Sequence, residues 1–455
     1  MALFQTSSGT SVRDGAGLSM RSASMGRWRA WLVIGAVVCA AGTWLYASRV
    51  LFRYQFGDVA LHGRPRGNFS DLYPRWVGAR ELLLHGRDPY TMEVTREIQV
   101  GFYGRVLGPD SPGIGHAYQQ GFYYPVYIAF GLAPTLHFPF ASVQKGFFWV
   151  LLGLSVVMVP LWLRVLRWST PLWGQAALII LSTGTLPVMQ GLKLQQMTLV
   201  VFALLAIAMV LLSSDHQIPA GILLALATIK PQLVWLVLFW LMIWTLADWR
   251  RRYRWAASFL LAMAMLCAVS EWYLPHWISR FWQSVREYRS YTGEMSVMDM
   301  EIGSPWSRAI ELAALAIMTA VCWKERREAA NSEAFAFTVS LVLAITVLVV
   351  PSYGPYNQVL LLPALLVMLK ERRAIWHRSL GTRALSTIVI GLLGWQWFWC
   401  ALLATLSFVL PVGTVERAHQ IPLWTVLVTP LGVAAAMLVS GRQGIFDASG
   451  EPTAS

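Results

Sequence analysis

Long runs of apolar residues, separated by short basic clusters, dominate the chain. One run extends from Trp31 to Leu51, and similar runs recur as far as residue 440. A helix needs about 20 apolar residues to cross the hydrocarbon core of a bilayer. With 56% hydrophobic and 13% charged residues, a chain of 455 residues has too little polar surface to form a water-soluble globule. The pattern predicts an all-α polytopic membrane protein.

Counting one span per apolar run predicts about twelve transmembrane helices. They lie near residues 31–51, 122–140, 146–166, 174–190, 197–213, 218–246, 255–273, 305–322, 334–350, 358–370, 384–410 and 421–440. The segment 1–26 is rich in Ser, Gly and Arg, and we expect a disordered cytoplasmic N-terminus without a cleaved signal peptide. Residues 27–442 are expected to form a single transmembrane domain, followed by a cytoplasmic tail, 443–455.

Basic clusters predict the orientation, because cytoplasmic loops are enriched in Lys and Arg. Arg29 precedes the first run, so the segments 52–121 and 274–304 become two large extracytoplasmic loops. Arg164 and Arg167 then fall on the opposite side from the other clusters, unless they snorkel or a nearby segment is re-entrant. The net charge of +13 follows the same rule, and no nucleic-acid partner is expected.

Cysteine and metal-ligand patterns give no sign of a cofactor. The four cysteines lie in apolar runs or at their ends and show neither metal-ligand spacing nor a disulfide framework. They are Cys39, Cys267, Cys322 and Cys400. No metal site is predicted, although the sequence does not exclude a divalent metal.

The first loop carries a predicted helix with an acidic residue at its start. Apolar residues recur at helical spacing from Leu72 to Leu83, which predicts an amphipathic helix at the membrane surface. Gly86 would end this helix. Asp71 lies at the N-terminus, where a carboxylate is either a simple helix cap or a group that performs chemistry at the interface. The local sequence leaves both interpretations open.

Lys230 is a cation within the long apolar run from Ile218 to Thr245. A charged residue well inside a span costs about 2.5–3.5 kcal/mol on insertion scales, so it usually faces a cavity or a partner. Pro231, which follows, would break the helix locally and free a backbone carbonyl. We predict that Lys230 binds an anionic group.

Three further motifs are less informative alone. Asp88-Pro89-Tyr90 predicts a turn, and Tyr123-Tyr124-Pro125 would place aromatic side chains at the start of the second predicted span. Gln196-Met197-Thr198 lies between two spans, where polar side chains either face the interface or bind a headgroup.

In their order along the chain, these motifs resemble glycosyltransferase family 87 of the GT-C superfamily. The best-known members are mannosyltransferases that use polyprenyl-phosphate mannose to extend phosphatidylinositol mannosides. The resemblance covers roughly Trp31 to Val367. Its motifs are Asp71 to Gly86, Asp88-Pro89-Tyr90, Tyr123-Tyr124-Pro125, Gln196-Met197-Thr198, Lys230-Pro231 and a late Ser-Tyr element from Ser352 to Pro363.

The resemblance implies a GT-C-like bundle and an inverting enzyme in the bacterial plasma membrane. A hexose, expected to be mannose, would move from a polyprenyl-phosphate donor to a lipid or glycan acceptor on the extracytoplasmic side. Asp71 matches the position of the family's general base. Lys230, Arg280 and Arg286 are predicted to bind the donor phosphate, because a cation stabilises the charge on a leaving phosphate. The substrate-binding candidates are Asp88, Tyr90, Tyr124, Gln196, Tyr356 and Asn357.

Two departures from the family leave the sugar and the acceptor open. Tyr356-Asn357-Gln358 stands where many mannosyl-transferring members carry a His pair, and Thr198 stands where the Gln-x-Asn element has Asn. The alternative function is a secondary transporter or a flippase for lipids or lipid-linked sugars. A carrier of this kind is expected to contain discontinuous helices and internal repeats. A non-catalytic scaffold is a third reading.

Overall fold

The computed structural model describes residues 12–55, 70–107, 120–292, 295–303, 305–351 and 354–447. The described residues are helical or irregular, without a β-strand, as the apolar runs predict. In chain order the helices are α1 (Val12–Tyr46), α2 (Leu72–His85), α3 (Met92–Tyr103), α4 (Ile128–Leu132), α5 (Phe140–Val165), α6 (Leu172–Thr183), α7 (Leu186–Lys193), α8 (Met197–Ser213), α9 (Gln217–Ala227), α10 (Pro231–Ala247), α11 (Trp249–Tyr273), α12 (Trp277–Thr292), α13 (Val297–Ile302), α14 (Trp306–Lys324), α15 (Glu333–Val349), α16 (Leu362–Lys370), α17 (Arg372–Arg378), α18 (Leu380–Leu406), α19 (Val412–Arg417) and α20 (Val428–Asp447).

Several of these helices can cross a membrane. Within the described ranges, six are long and apolar enough, and a seventh span results if α6 and α7, bent by 60°, form one. The shorter apolar helices are α8, α9, α10, α15 and the segment Pro355–Lys370. The polytopic membrane fold is therefore confirmed, whereas the count of about twelve spans remains a prediction.

The ends of the chain contain more helix than the sequence predicts. Helix α1 begins at Val12, inside the segment 1–26 that we expected to be disordered, and its span candidate is Trp28–Gln55. Helix α20 continues to Asp447, inside the predicted tail 443–455. Residues 1–11 and 448–455 lie outside the described ranges.

The predicted span at 122–140 is wrong. Residues 120–139 contain the five-residue helix α4 and a 3-10 turn, Ala133–Thr135. A helix of this length rises about 7.5 Å, far less than the thickness of a bilayer. Phe122, Val126 and Ala129 are instead buried in a core that α2 shares. The apolar character of this segment reflects burial against protein, and prolines divide it too often for a long helix.

The predicted span at 218–246 is two helices, α9 and α10, separated at Thr228–Lys230. Pro231 is the first residue of α10. Proline is favoured there because an N–H at this position would have no partner within the helix. The break that the Lys-Pro pair predicts is therefore confirmed, although it separates two whole helices rather than kinking one.

Helices α9 and α10 form a hairpin. The side chain of Gln217, at the start of α9, donates to the carbonyl of Arg251, 2.8 Å away. The carbonyl of Trp244, near the end of α10, accepts from the side chain of Arg252 at 2.6 Å. Because Arg251 and Arg252 are neighbours, both helix ends lie together, and Lys230 lies at the opposite tip of the hairpin.

The basic clusters gather at this end of the bundle, called the basic end below. Arg252 donates to the carbonyls of Arg326, Arg327 and Glu328. Three residues further on, the carbonyl of Asn331 accepts from Arg167 at 3.1 Å. Lys370 donates to the carbonyl that immediately precedes Arg167. Arg167 therefore lies with the other clusters, and its predicted position on the opposite side is wrong because 122–140 is not a span.

Helix α2 is present, and Gly86 ends it with a φ of +66°, as predicted. Its apolar face packs in a core that also contains residues of α3 and α4. The opposite face is covered as well, since the carboxylate side chain of Glu81 is 2% exposed and binds Arg80, His85 and Arg87. The predicted surface helix is therefore largely embedded in protein.

Candidate active site

Asp71 is the N-cap residue of α2, yet its side chain makes no capping hydrogen bond. The hydroxyl of Ser70 accepts from the N–H of Leu72 at 3.3 Å instead. The backbone N–H of Asp71 donates to the carbonyl of Leu194 at 2.9 Å, and its carboxylate accepts from the amide of Gln196. The cap interpretation therefore does not explain this half-buried carboxylate.

Gln196 connects the carboxylate of Asp71 to the ammonium of Lys230. The amide nitrogen donates to Asp71, and the amide oxygen accepts from Nζ of Lys230 at 2.9 Å. An amide group donates through its nitrogen and accepts through its oxygen, so Asp71 and Lys230 contact different atoms of the same amide. Gln196 is 1% exposed, which leaves its side chain little freedom to turn. The carboxylate of Asp71 and the ammonium of Lys230 are thus connected through a single amide group.

Lys230 is buried, and its partners are neutral. Its Nζ donates to the hydroxyl of Thr198 at 2.8 Å and lies 4.9 Å from the centroid of the Tyr356 ring, within cation–π range. Thr198 donates in turn to Asn357 at 3.0 Å. Among the described residues, no carboxylate forms an ion pair with Lys230. A buried ammonium of this kind favours an anionic ligand.

Tyr356 and Asn357 belong to a 3-10 helix, Pro355–Leu361, that precedes α16. Of these two predicted substrate-binding residues, Tyr356 contacts Lys230 through its ring, and Asn357 is connected to Lys230 through Thr198. Of the late Ser-Tyr element, Ser352 and Tyr353 lie outside the described residues.

Arg75 is a site residue that sequence reasoning missed. Its guanidinium stacks on the ring of Tyr124, with 4.1 Å from Cζ to the ring centroid, and it interacts electrostatically with Asp71 and Lys230. Its Nε is buried without a hydrogen-bond partner among the described residues. A buried donor without a partner costs about 1–3 kcal/mol of folding free energy. Such donors are found where a ligand binds and supplies the missing acceptor. The sequence contained one signal for Arg75, its spacing of four residues from Asp71, because positions four residues apart share one face of a helix.

Tyrosine hydroxyl groups line the same region. Tyr288 on α12, also missed by sequence reasoning, lies with its ring centroid 4.9 Å from that of Tyr123. Burial raises the pKa of Tyr288, and the negative charge of Asp71 raises that pKa further. Burial likewise raises the pKa of Tyr124 to about 12. Both phenols are therefore neutral near pH 7 and able to donate a hydrogen bond.

Asp88, Tyr90 and Arg280 form a brace next to the site. The carboxylate of Asp88 accepts from the N–H of Tyr90 at 2.9 Å and forms an ion pair with Arg280 of α12. The hydroxyl of Tyr90 donates to the carbonyl of Tyr124 at 2.6 Å. This brace fixes the backbone of the segment that carries Tyr124.

Arg286 is exposed on α12. Within the part of the chain that the structure describes, neither a hydrogen bond nor an ion pair links it to Asp71 or Lys230. The phosphate-binding roles of Arg280 and Arg286 stay predictions. Over the same residues, no group of three or more His, Cys, Asp or Glu side chains is arranged to hold a metal ion.

An apolar cavity of about 310 Å³ lies within the bundle. It is bounded by α5, the α6–α7 bend, α16 and α18. One end is lined by Gln358, the neighbour of Asn357, and the other by Arg372 and Trp376 beyond the C-terminus of α16. Helical rise makes this path about 20 Å long. The lining includes neither Asp71 nor Lys230, and Gln358 is the lining residue that lies next to the site in the chain.

These features define a polytopic membrane protein with an enclosed polar site at one end of its bundle. The model of glycosyltransferase family 87 matches residues 122–351, just over half of the chain, and the chain therefore belongs to this family. It is a membrane glycosyltransferase. The matched region contains Tyr124, Gln196 and Lys230, and it begins after Asp71. No curated protein and no solved structure matches the chain.

Proposed function

We propose that this enzyme transfers a hexose, with inversion, from a polyprenyl-phosphate donor to a hydroxyl group of a lipid or glycan acceptor. Asp71 is the general base, and Lys230 binds the donor phosphate. The observation that carries the proposal is the half-buried carboxylate of Asp71, held by Gln196 one amide away from a buried ammonium.

A half-buried carboxylate such as Asp71 is suited to act as a base. An acceptor hydroxyl is a weak nucleophile near pH 7, so a carboxylate within hydrogen-bond reach must take its proton during attack. The acceptor oxygen then bonds to the anomeric carbon from the face opposite the phosphate. The bond from that carbon to the phosphate oxygen breaks, and the polyprenyl phosphate leaves with the electron pair. Asp71 later returns the proton to water.

The surroundings of Lys230 suit the leaving phosphate. Its hydrogen-bond partners are the neutral side chains of Gln196 and Thr198, so its charge is not already neutralised by a carboxylate. Lys230 is also the N-cap of the 17-residue helix α10, whose N-terminal N–H groups and dipole favour an anion. Charge that develops on the phosphate is therefore stabilised where it appears.

The apolar cavity supports a lipid-linked donor. Its walls are almost wholly apolar, and its lining includes Gln358, the residue that follows Asn357 in the chain. An isoprenoid chain needs such a lining because burial of its methyl and methylene groups is favourable.

The basic end supports an extracytoplasmic site. Lys and Arg are enriched on the cytoplasmic side of membrane helices. Once Arg167 is grouped with Arg252 and Lys370, the clusters mark one end of the bundle, and Lys230 lies at the other. We therefore infer a multi-pass protein of the bacterial plasma membrane whose site faces away from the cytoplasm. Mannose is the hexose we propose, because the motifs resemble those of mannosyltransferases.

The test uses the full chain in nanodiscs with a radiolabelled polyprenyl-phosphate hexose and a membrane lipid extract. Wild type and Asp71→Asn are compared for transfer and for binding of polyprenyl phosphate. We expect transfer to fall at least about 100-fold in the variant while binding persists. Unchanged transfer would discard Asp71 as the base and keep the enzyme class. No wild-type transfer with any donor would favour the transporter or flippase reading, for which flux across liposomes is the next measurement.

A further inference from the structure

The described part of the site contains more basic than acidic side chains. Asp71, Arg75 and Lys230 interact electrostatically with one another, and Tyr124, Tyr288 and Tyr356 complete the group. The structure joins no second carboxylate to this group among the described residues. Among the described residues, two basic side chains therefore face one carboxylate in a largely buried region, so this part of the site has fewer acidic than basic groups. An anionic ligand that enters the site would balance this difference.

Arg75 is better placed for this anion than the two arginines of α12. Arg280 already forms an ion pair with Asp88, and Arg286 is exposed. Arg75 lies one helical turn after Asp71 on the same face of α2. Its Nε is buried and has no hydrogen-bond partner within the described ranges, so it has a donor to offer.

Tyr124 restricts where this guanidinium can lie. Cζ of Arg75 lies 4.1 Å from the centroid of the Tyr124 ring, within cation–π range. The backbone of Tyr124 is itself held by the hydroxyl of Tyr90. A planar guanidinium is suited to bind phosphate oxygens through parallel hydrogen bonds, whereas an ammonium such as Lys230 binds them as a point charge.

We propose that Arg75 is a second phosphate ligand, which together with Lys230 clamps the phosphate of the lipid-linked donor. This inference rests on the proposed function, since it assigns a further contact to the same phosphate. The ligand class is a lipid phosphate monoester or diester. Arg75 contacts the leaving group, so the proposal also requires that it bind the product, polyprenyl phosphate.

The experiment measures the affinity of the full chain in nanodiscs for polyprenyl phosphate and for the uncharged polyprenol of equal length. We expect wild type to prefer the phosphate and Arg75→Gln to lose at least about tenfold of that preference. Arg96→Gln is the matched control, because Arg96 is an exposed arginine on α3 and its loss removes the same charge. Polyprenol affinity should stay unchanged in both variants, since it reports the lipid cavity.

An unchanged preference in Arg75→Gln would overturn the assignment and leave the glycosyltransferase proposal intact. A wild type that neither prefers the phosphate nor transfers sugar would reject the proposed function itself. If Arg75→Gln does not fold, Arg75→Lys is compared with Arg96→Lys. Weaker phosphate binding in Arg75→Lys alone supports the clamp, because lysine keeps the charge without the planar fork; equal binding overturns it.

Discussion

Two buried cations lie at opposite ends of the bundle and differ in what surrounds them. Arg252, at the basic end, donates to four backbone carbonyls, those of Trp244, Arg326, Arg327 and Glu328. Lys230 donates to two side chains, Gln196 and Thr198. The exposed fractions are similar, 8% for Arg252 and 6% for Lys230. Burial alone therefore does not separate a structural cation from a functional one.

The kind of partner separates them. Backbone carbonyls cannot move without moving a helix end, so Arg252 ties α10 to the segment after α14. The side-chain partners of Lys230 among the described residues are neutral and leave its charge without a carboxylate, and one of them, Gln196, also holds the carboxylate of Asp71. A cation with neutral partners beside a carboxylate is arranged for binding and chemistry.

The same substitution at both cations provides the strongest test of this contrast. We expect Lys230→Met to lower sugar transfer by about 100- to 1,000-fold, because charge on the leaving phosphate loses its stabilising cation. Transfer rates with the radiolabelled donor measure this effect, and the thermal unfolding midpoint in nanodiscs should fall less than for Arg252→Met, because fewer acceptors lose a donor. Transfer at the wild-type rate would show that Lys230 is only a packed helix cap.

Arg252→Met should show the reverse behaviour. It removes a donor from the buried carbonyl of Trp244 and from the part-buried carbonyls of Arg326 and Arg327, and we expect the free energy of unfolding to fall by about 2–3 kcal/mol. The thermal unfolding midpoint would decrease, while transfer per folded molecule stays near the wild-type rate. A loss of transfer without a loss of stability would contradict the division between the two ends of the bundle.

The sequence predicts the all-helical membrane fold and the two ends of α2, because these follow from local periodicity and from Gly86. It does not reveal that 122–140 packs against protein, since Phe122 and Val126 look the same whether lipid or a helix covers them. The hairpin of α9 and α10 is hidden for a related reason, as two short apolar helices and one long one have the same composition.

Some residues of the site can also be recognised in the sequence, whereas others cannot. Lys230 is visible in the sequence because a charge inside an apolar run is rare. Arg75 is not, because arginines are common in the first loop and its importance depends on contacts with Tyr124 and Asp71. Asp88 of the brace is likewise only a turn residue in the sequence, because its partner Arg280 lies far away in the chain. Contacts between residues far apart in the chain carry this information, and a single sequence does not.

The smallest expected effect concerns Gln196, which connects the two halves of the site. Gln196→Met removes its hydrogen bonds to Asp71 and Lys230 while keeping the side-chain length, and leaves both charged groups in place. We expect kcat to fall about tenfold with little change in KM for the donor, because the base is less well oriented while the phosphate ligands remain. Gln195→Met is the matched control, since its amide donates to the carbonyl of Leu192 instead. Equal effects of the two substitutions on kcat would mean that Gln196 contributes packing rather than orientation of Asp71.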